Sequence, residues 1–129
     1  MNKVRYHRIY SDSEGISHVE DLEIELRETD YAPPAPALWA SASSPAATYQ
    51  LVSGPAGWYG DWHPVPRRQF FYYLKGQSGV ELGDGSTRHL RPGDVLLAED
   101  TWGKGHRSWV IGDEDVLAAV VVLPELPSV

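Results

Sequence analysis

The chain contains no cysteine, which rules out disulfides, thiolate metal ligands and cysteine nucleophiles. It has no sustained helical periodicity, and no apolar run nears the roughly 18 residues a membrane span requires. Basic side chains are scarce: 11 Lys and Arg stand against 18 Asp and Glu, for a formal charge of −7. Nucleic acid phosphates call for a basic surface, and the adjacent pair Arg67-Arg68 is too short to supply one. The first residues, from Met1 to Arg8, carry positive charge with no apolar core behind it. The expectation is a soluble, cytoplasmic protein with neither nucleic-acid nor membrane partners.

What remains is a chain of 129 residues, enough for one domain with its own core. Five Trp and seven Tyr against two Phe favour surfaces where an apolar body needs a polar tip, as in a pocket or interface. Residues 1–40 read as an arm. Tyr6–Tyr10 suits a short strand, and Leu22-Glu23-Ile24-Glu25-Leu26 alternates as a half-buried strand does, with its acids on the solvated face. Tyr31-Ala32-Pro33-Pro34-Ala35-Pro36 follows as an extended connector.

From residue 41 to 129 the chain reads as one barrel. Short strand candidates succeed one another over 48–52, 69–75, 79–82, 87–91, 94–98, 107–111 and 116–123. Gly83-Asp84-Gly85, Pro92-Gly93-Asp94 and Gly112-Asp113-Glu114-Asp115 separate them as turns. The valines of 116–123 favour a strand buried on both faces. Many short antiparallel strands at close spacing imply an all-β sandwich or barrel.

Two segments carry the chemistry. Asp61-Trp62-His63 runs through Arg67, Arg68 and Gln69 into Phe70-Phe71-Tyr72-Tyr73-Leu74, and Gly76 follows. Pro92-Gly93-Asp94-Val95-Leu96-Leu97-Ala98 leads through a glycine-rich loop to His106. In order and spacing these segments resemble the two motifs of the cupin superfamily, over roughly residues 48–123. The resemblance implies a double-stranded β-helix, the cupin jelly-roll barrel, preceded by the N-terminal arm. It also implies that His63 and His106 converge in the hollow. Two departures stand out: Asp61 replaces the first His of the family's pair, and Gln69 replaces its Glu.

The resemblance implies a site for one divalent ion (Fe, Mn, Ni or Zn) held by Asp61, His63, Gln69 and His106, or else a metal-free pocket. Gln is a poor ligand, but Asp61 and His63 lie two apart and face one side of an extended chain. Two His with one carboxylate is also the ligand count of the non-haem iron triad. Alternation places Phe71 and Tyr73 beside Gln69 on the inner face, lining a small-molecule pocket. Trp62 and Lys104, beside the two histidines, are further expected substrate contacts. The other face of that strand is apolar too, so it should be covered by the arm or by a second subunit, and cupins commonly form homodimers.

Gly103-Lys104-Gly105 lets the backbone approach a ligand closely but lacks the spacing of a phosphate loop. Glu99 and Asp100 either orient Lys104 or His106 or form a polar turn. Arg67 and Arg68 would pair with an anionic substrate or with the acidic arm. His89 reads as a surface residue, and His7 and His18 as structural. The expected function is that of a small-molecule enzyme, an isomerase, cyclase, lyase or dioxygenase. It would act through a metal or through His63 and His106 as base and acid, with Tyr73 donating to developing charge. The alternative is a non-catalytic module that binds a small molecule without metal. A single short barrel without repeats argues against storage.

Overall fold

The computed structural model describes residues 2–126, so residues 127–129 of the expected barrel lie outside it. Among the described residues there are twelve strands and no helix. They are β1 (Lys3–Ser11), β2 (Ser17–Glu25), β3 (Arg27–Thr29), β4 (Leu38–Ala40), β5 (Thr48–Gly54) and β6 (Tyr59–His63). After them come β7 (Gln69–Lys75), β8 (Gln77–Leu82), β9 (Thr87–Leu90), β10 (Val95–Glu99), β11 (His106–Ile111) and β12 (Val116–Val122). One sheet has six strands in the order β2-β1-β10-β7-β12-β5, and a second has four in the order β6-β11-β8-β9. Neighbours are antiparallel except β1 and β10, which run parallel.

Alternation decides which side chains fill the space between the sheets. Leu96 and Ala98 of β10, Val80 and Leu82 of β8, Leu90 of β9 and Ile9 of β1 meet in one buried cluster, with Val65 from the loop after β6. Burying these side chains gives roughly 1.5–3 kcal/mol for each of the larger ones. β12 is fully buried on its inner side only, at Ala118, Val120 and Val122; its outer residues are half-covered, which corrects the expectation of burial on both faces.

The first forty residues divide in two. β1 and β2 extend the larger sheet, and Asp21, Glu23 and Glu25 lie exposed between half-buried Leu22 and Ile24. β3 and β4 pair only with each other. The turn at Gly83-Asp84-Gly85 closes β8 onto β9, with Gly85 at φ 90°, a conformation that costs glycine nothing.

Candidate functional site

His63 ends β6 and His106 begins β11, and the two stand opposite each other as cross-strand partners. Their ring centroids are 4.7 Å apart, with the planes inclined at 55°. A bulge makes this possible. His106 pairs with His63 but Ser108 pairs with Gly60, so β6 spends one residue more than β11 over the same stretch. The extra residue reverses the facing rule: His63 points inward, while Asp61 lies exposed with Oδ1 accepting from its neighbour's Trp62 N–H at 2.8 Å. Asp61 and His63 therefore do not act from one side, contrary to the expectation from simple alternation.

The loop before His106 is fitted to the same purpose. Gly105 has φ +72°, and any Cβ there would collide with the His63 carbonyl and the Pro64 nitrogen. Gly103 is packed as tightly on Gly15 of the β1–β2 turn, whose carbonyl accepts from Lys104 N–H at 3.0 Å. Glycine at 105 thus lets the two histidine strands come into contact, and glycine at 103 lets the same loop close on the β1–β2 turn.

Each imidazole is held by its Nδ1. His63 Nδ1–H donates to the Asp61 backbone carbonyl at 2.6 Å. His106 Nδ1–H donates to Asp100 Oδ2 at 2.6 Å, and Asp100 has no exposed surface at all. With Nδ1 engaged, Nε2 is the free nitrogen of both rings. Asp100 Oδ1 is buried and, among the described residues, has no hydrogen-bond partner, so His106 is the one described side chain that answers this carboxylate. Of the two roles left open for Asp100, the structure places it as the partner of His106.

The two rings stand at a cavity of about 290 Å³ between the sheets. Phe71 and Tyr73 of β7, Leu96 and Ala98 of β10, and Val116 and Ala118 of β12 form one wall. Ser78 and Val80 of β8 and Ser108 and Val110 of β11 form the other, with Trp58 and Val52 beside them. Among the described residues, no Asp, Glu, Lys or Arg lines this space. Burial pushes the Tyr73 hydroxyl up to about 12, a hydrogen bond with Ser78 working against that rise, so it stays a neutral donor or acceptor. The Trp58 indole lies on Gly60, where a β-carbon would displace it.

Other expected contacts lie elsewhere. Trp62 and Lys104 do not line the cavity: Lys104 Nζ sits 4.0 Å from the Trp62 ring centroid, and Arg107 stacks on the same ring at 5.2 Å. Gln69 stands between Ala98 and Val122 at the start of β7 and is absent from the lining. Glu99 is bridged by Arg8 at 2.6 Å and Arg68 at 2.7 Å. Burial alone would raise the Glu99 carboxyl, but the two arginines outweigh it and hold it below the usual range. Arg68 is thereby committed to Glu99, and through it to Arg8 and Glu20 of the arm. His89 is exposed beside Gln77 and Arg91, and His7 meets Asp21.

The residues present do not fit the divalent ion that the family resemblance implied. Among the described residues no group of three or more His, Cys, Asp or Glu side chains is placed to hold a metal ion. The third and fourth expected ligands, Asp61 and Gln69, face away or lie outside the lining.

Sequence reasoning missed Ser78, Ser108 and Trp58 as cavity residues. Ser78 was findable, because it stands two residues before the buried Val80 on the same strand face. Ser108 carried the same signal, standing two residues from His106 and from buried Val110 on β11, whereas Trp58 precedes β6 and carried none.

No protein-family model and no curated protein sequence matches the chain. Among solved structures, it is similar to the Cnp3 cupin domain of Schizosaccharomyces pombe (14% identity, TM-score 0.47, covering 96% of this chain and 86% of that one). It is similar to the DMSP lyase DddQ of Ruegeria pomeroyi DSS-3 (24%, TM-score 0.48, 70% of this chain and 43% of that one). A third is protein NMB1881 of Neisseria meningitidis (17%, TM-score 0.45, 59% and 72%). The fold is all-β, two facing sheets around a hollow.

Each motif supplies one strand to each sheet, β6 and β7 from the first and β11 and β10 from the second, and the two histidine strands are neighbours in the four-stranded sheet. In this chain the histidines of both segments meet, while Asp61 and Gln69 of the first do not join them. The chain spans less than half of the lyase's length, and lyase activity is a property of that protein.

Proposed function

We propose that this cupin-like protein takes a small, uncharged organic molecule into its barrel and transfers protons on it with His63 and His106. One observation carries the reading: two imidazoles, each with Nε2 free, face each other at a cavity where, among the described residues, no permanently charged side chain lines the walls. A permanently charged ligand would lose its hydration there without a counter-ion, at a cost of several kcal/mol. At about 290 Å³ the space lies near the lower end of small-molecule sites.

Imidazole is the side chain suited to exchanging protons near neutral pH. In the proposed step the neutral ring takes a proton from a C–H or O–H of the bound molecule through Nε2. The other ring, having arrived protonated, returns one to a second atom. The positive charge gained by His106 lies against Asp100, which orients the ring throughout. Tyr73 and Ser78 supply hydrogen bonds where negative charge develops on a substrate oxygen. This is the chemistry of an isomerase or a lyase, with no step requiring an oxidant.

The second reading, capture without turnover, is favoured by the same uncharged lining, which suits binding as well as chemistry. Deuterium exchange separates the two. Small neutral ketones and hydroxy-ketones are incubated with the protein in D₂O and followed by NMR. Proton transfer predicts enzyme-dependent C–H to C–D exchange that His63→Ala and His106→Ala both abolish. Binding without exchange favours simple capture. If both variants keep every binding and exchange signal of the parent, the two histidines are not the site.

A further inference from the structure

Where the cavity opens follows from the sheet orders. β5 is the last strand of the six-stranded sheet and β6 the first of the four-stranded one, so each has a free edge. The two edges are joined by the short segment Pro55-Ala56-Gly57-Trp58. Among the described residues, Val52 and Trp58 are the large apolar side chains that both line the cavity and stand exposed, at 42% and 43%. The mouth therefore lies between β5 and β6, with Trp58 in it.

Trp58 is fixed there by its own backbone. Its N–H donates to the Pro55 carbonyl and its carbonyl accepts from Val110 N–H, both at 2.9 Å. The turn that carries it is tied down as well, since Ala56 N–H donates to Asp115 Oδ1 at 2.8 Å. A β-carbon on Gly54 would lie 4.0 Å from Trp58 Cβ, and one on Gly60 would overlap the far corner of the indole. The side chain thus spans from the end of β5 to β6, with part of its surface in solvent and part on the cavity. Gly60 pairs with Ser108, and His63 with His106 next along the same two strands, so the indole ends close to the histidine pair.

We infer that the molecule taken into this cavity is a flat, neutral aromatic of one or two fused rings, which enters between β5 and β6 and stacks on Trp58. The inference rests on the proposed reading of the cavity and adds the class of ligand to it. On β7, the rings of Phe71 and Tyr73 stand nearly parallel, their planes 20° and their centroids 6.3 Å apart. Together with Trp58 they give the cavity flat aromatic panels on two sides. Aromatic pairs gain from offset or edge-to-face contact beyond the area they bury, whereas a saturated ring gains the area alone. An apolar cavity of about 150 Å³ holds one benzene, and the space here, about 290 Å³, is nearly twice as large. Its polar groups are few: the hydroxyls of Ser78, Ser108 and Tyr73 and the two imidazoles. They suit one or two oxygen functions on an apolar body. A polyol would leave hydroxyls unpaired against valine, leucine and alanine.

The test is calorimetric titration of the full chain with 2-indanone, a flat neutral two-ring ketone, and with cis-hydrindan-2-one, its saturated and puckered counterpart. The parent chain should bind 2-indanone with a Kd of about 1 mM or tighter. It should prefer 2-indanone to the saturated ketone by about 3- to 10-fold. Trp58→Leu keeps apolar bulk but no ring, and should remove that preference with unchanged far-ultraviolet circular dichroism. Gly60→Ala serves if Trp58→Leu does not fold. The three atoms nearest its methyl group all belong to the Trp58 indole, so the ring is pushed aside and the preference should fall likewise. Equal binding of the two ketones, no binding of 2-indanone at about 10 mM, or a preference that survives both variants overturns the inference. Deuterium exchange on the same samples separates this inference from the proton-transfer reading. Ring-selective binding without histidine-dependent exchange upholds the aromatic ligand and removes the chemistry. Histidine-dependent exchange without ring preference removes the aromatic ligand and leaves the chemistry.

Discussion

Asp100 receives the Nδ1–H of His106 at 2.6 Å from a position with no solvent exposure, and among the described residues its second oxygen has no partner. An arrangement of this kind fixes which nitrogen of the ring faces the cavity. Asp100→Asn keeps the volume and loses the obligate acceptor, so the ring is free to exchange tautomers. The expected outcome is a folded protein with any proton-transfer rate lowered about 10- to 100-fold. Asp100→Ala leaves the ring N–H unmet and should cost about 1–3 kcal/mol of stability, measured by chemical denaturation.

Gly105 is the residue on which the meeting of the two strands depends. Gly105→Ala must place a methyl group against the His63 carbonyl at φ +72°, a conformation that L side chains rarely adopt. A loss of at least about 2 kcal/mol is expected, because backbone strain and steric overlap add. Gly85→Ala is the comparison: it shares a positive φ but has nothing within 4 Å of its new methyl, so its cost should be smaller.

The resident-metal question has a direct answer in solution. Protein purified without a histidine tag should contain less than one divalent ion per chain. Adding or chelating zinc, iron or manganese should leave the melting temperature unchanged, because binding to the folded state alone would raise it. One tightly held equivalent with a chelator-sensitive melting temperature would contradict the reading of the donor set.

Away from the cavity, His18 links the β1–β2 turn to the β8–β9 turn. Its Nε2 meets Asp12 at 2.6 Å and its Nδ1 meets Asp84 at 3.1 Å. The hydrogen bond to Asp12 holds the imidazole above its ordinary value, and the same bond holds Asp12 below the usual carboxylate range. For Asp84, burial pulls upward but bonds from Ser86 and His18 prevail, lowering it. A raised histidine stabilises in full below its unfolded value and loses that contribution as pH rises through the folded one. Lowered carboxylates stabilise above their unfolded values and lose the effect as pH falls. The network therefore contributes most between about pH 4 and 6.5. The melting-temperature difference between the parent chain and His18→Gln should peak in that window and shrink as pH rises above it. Added salt should reduce it, since the groups are solvent-accessible. A difference that is flat with pH would contradict the assignment.

The strands were legible wherever a single rule governed them. β7 was expected at Gln69–Lys75 and lies there, with Phe71 and Tyr73 inward, because alternation holds up to Tyr73, ahead of the register shift against β12. β6 was not foreseen: five residues containing Gly60 and a bulge give no periodic signal. The same bulge turned Asp61 outward, since a facing rule of period two fails when one residue is added. Lys104 and Trp62 were drawn to the site by sequence proximity, but their mutual stacking satisfies both on the exterior. Asp100 follows the end of β10, where alternation no longer applies, so its bond to His106 came from the loop path alone.

Imidazole ¹⁵N NMR of the labelled chain tests the central claim most directly. The account predicts that His63 and His106 both carry their proton on Nδ1 with Nε2 bare at alkaline pH. One neutral ligand entering the cavity should shift both rings together, and Asp100→Asn should redistribute the tautomers of His106 alone. A proton on Nε2 of either ring, or a cavity ligand that moves neither, would contradict it.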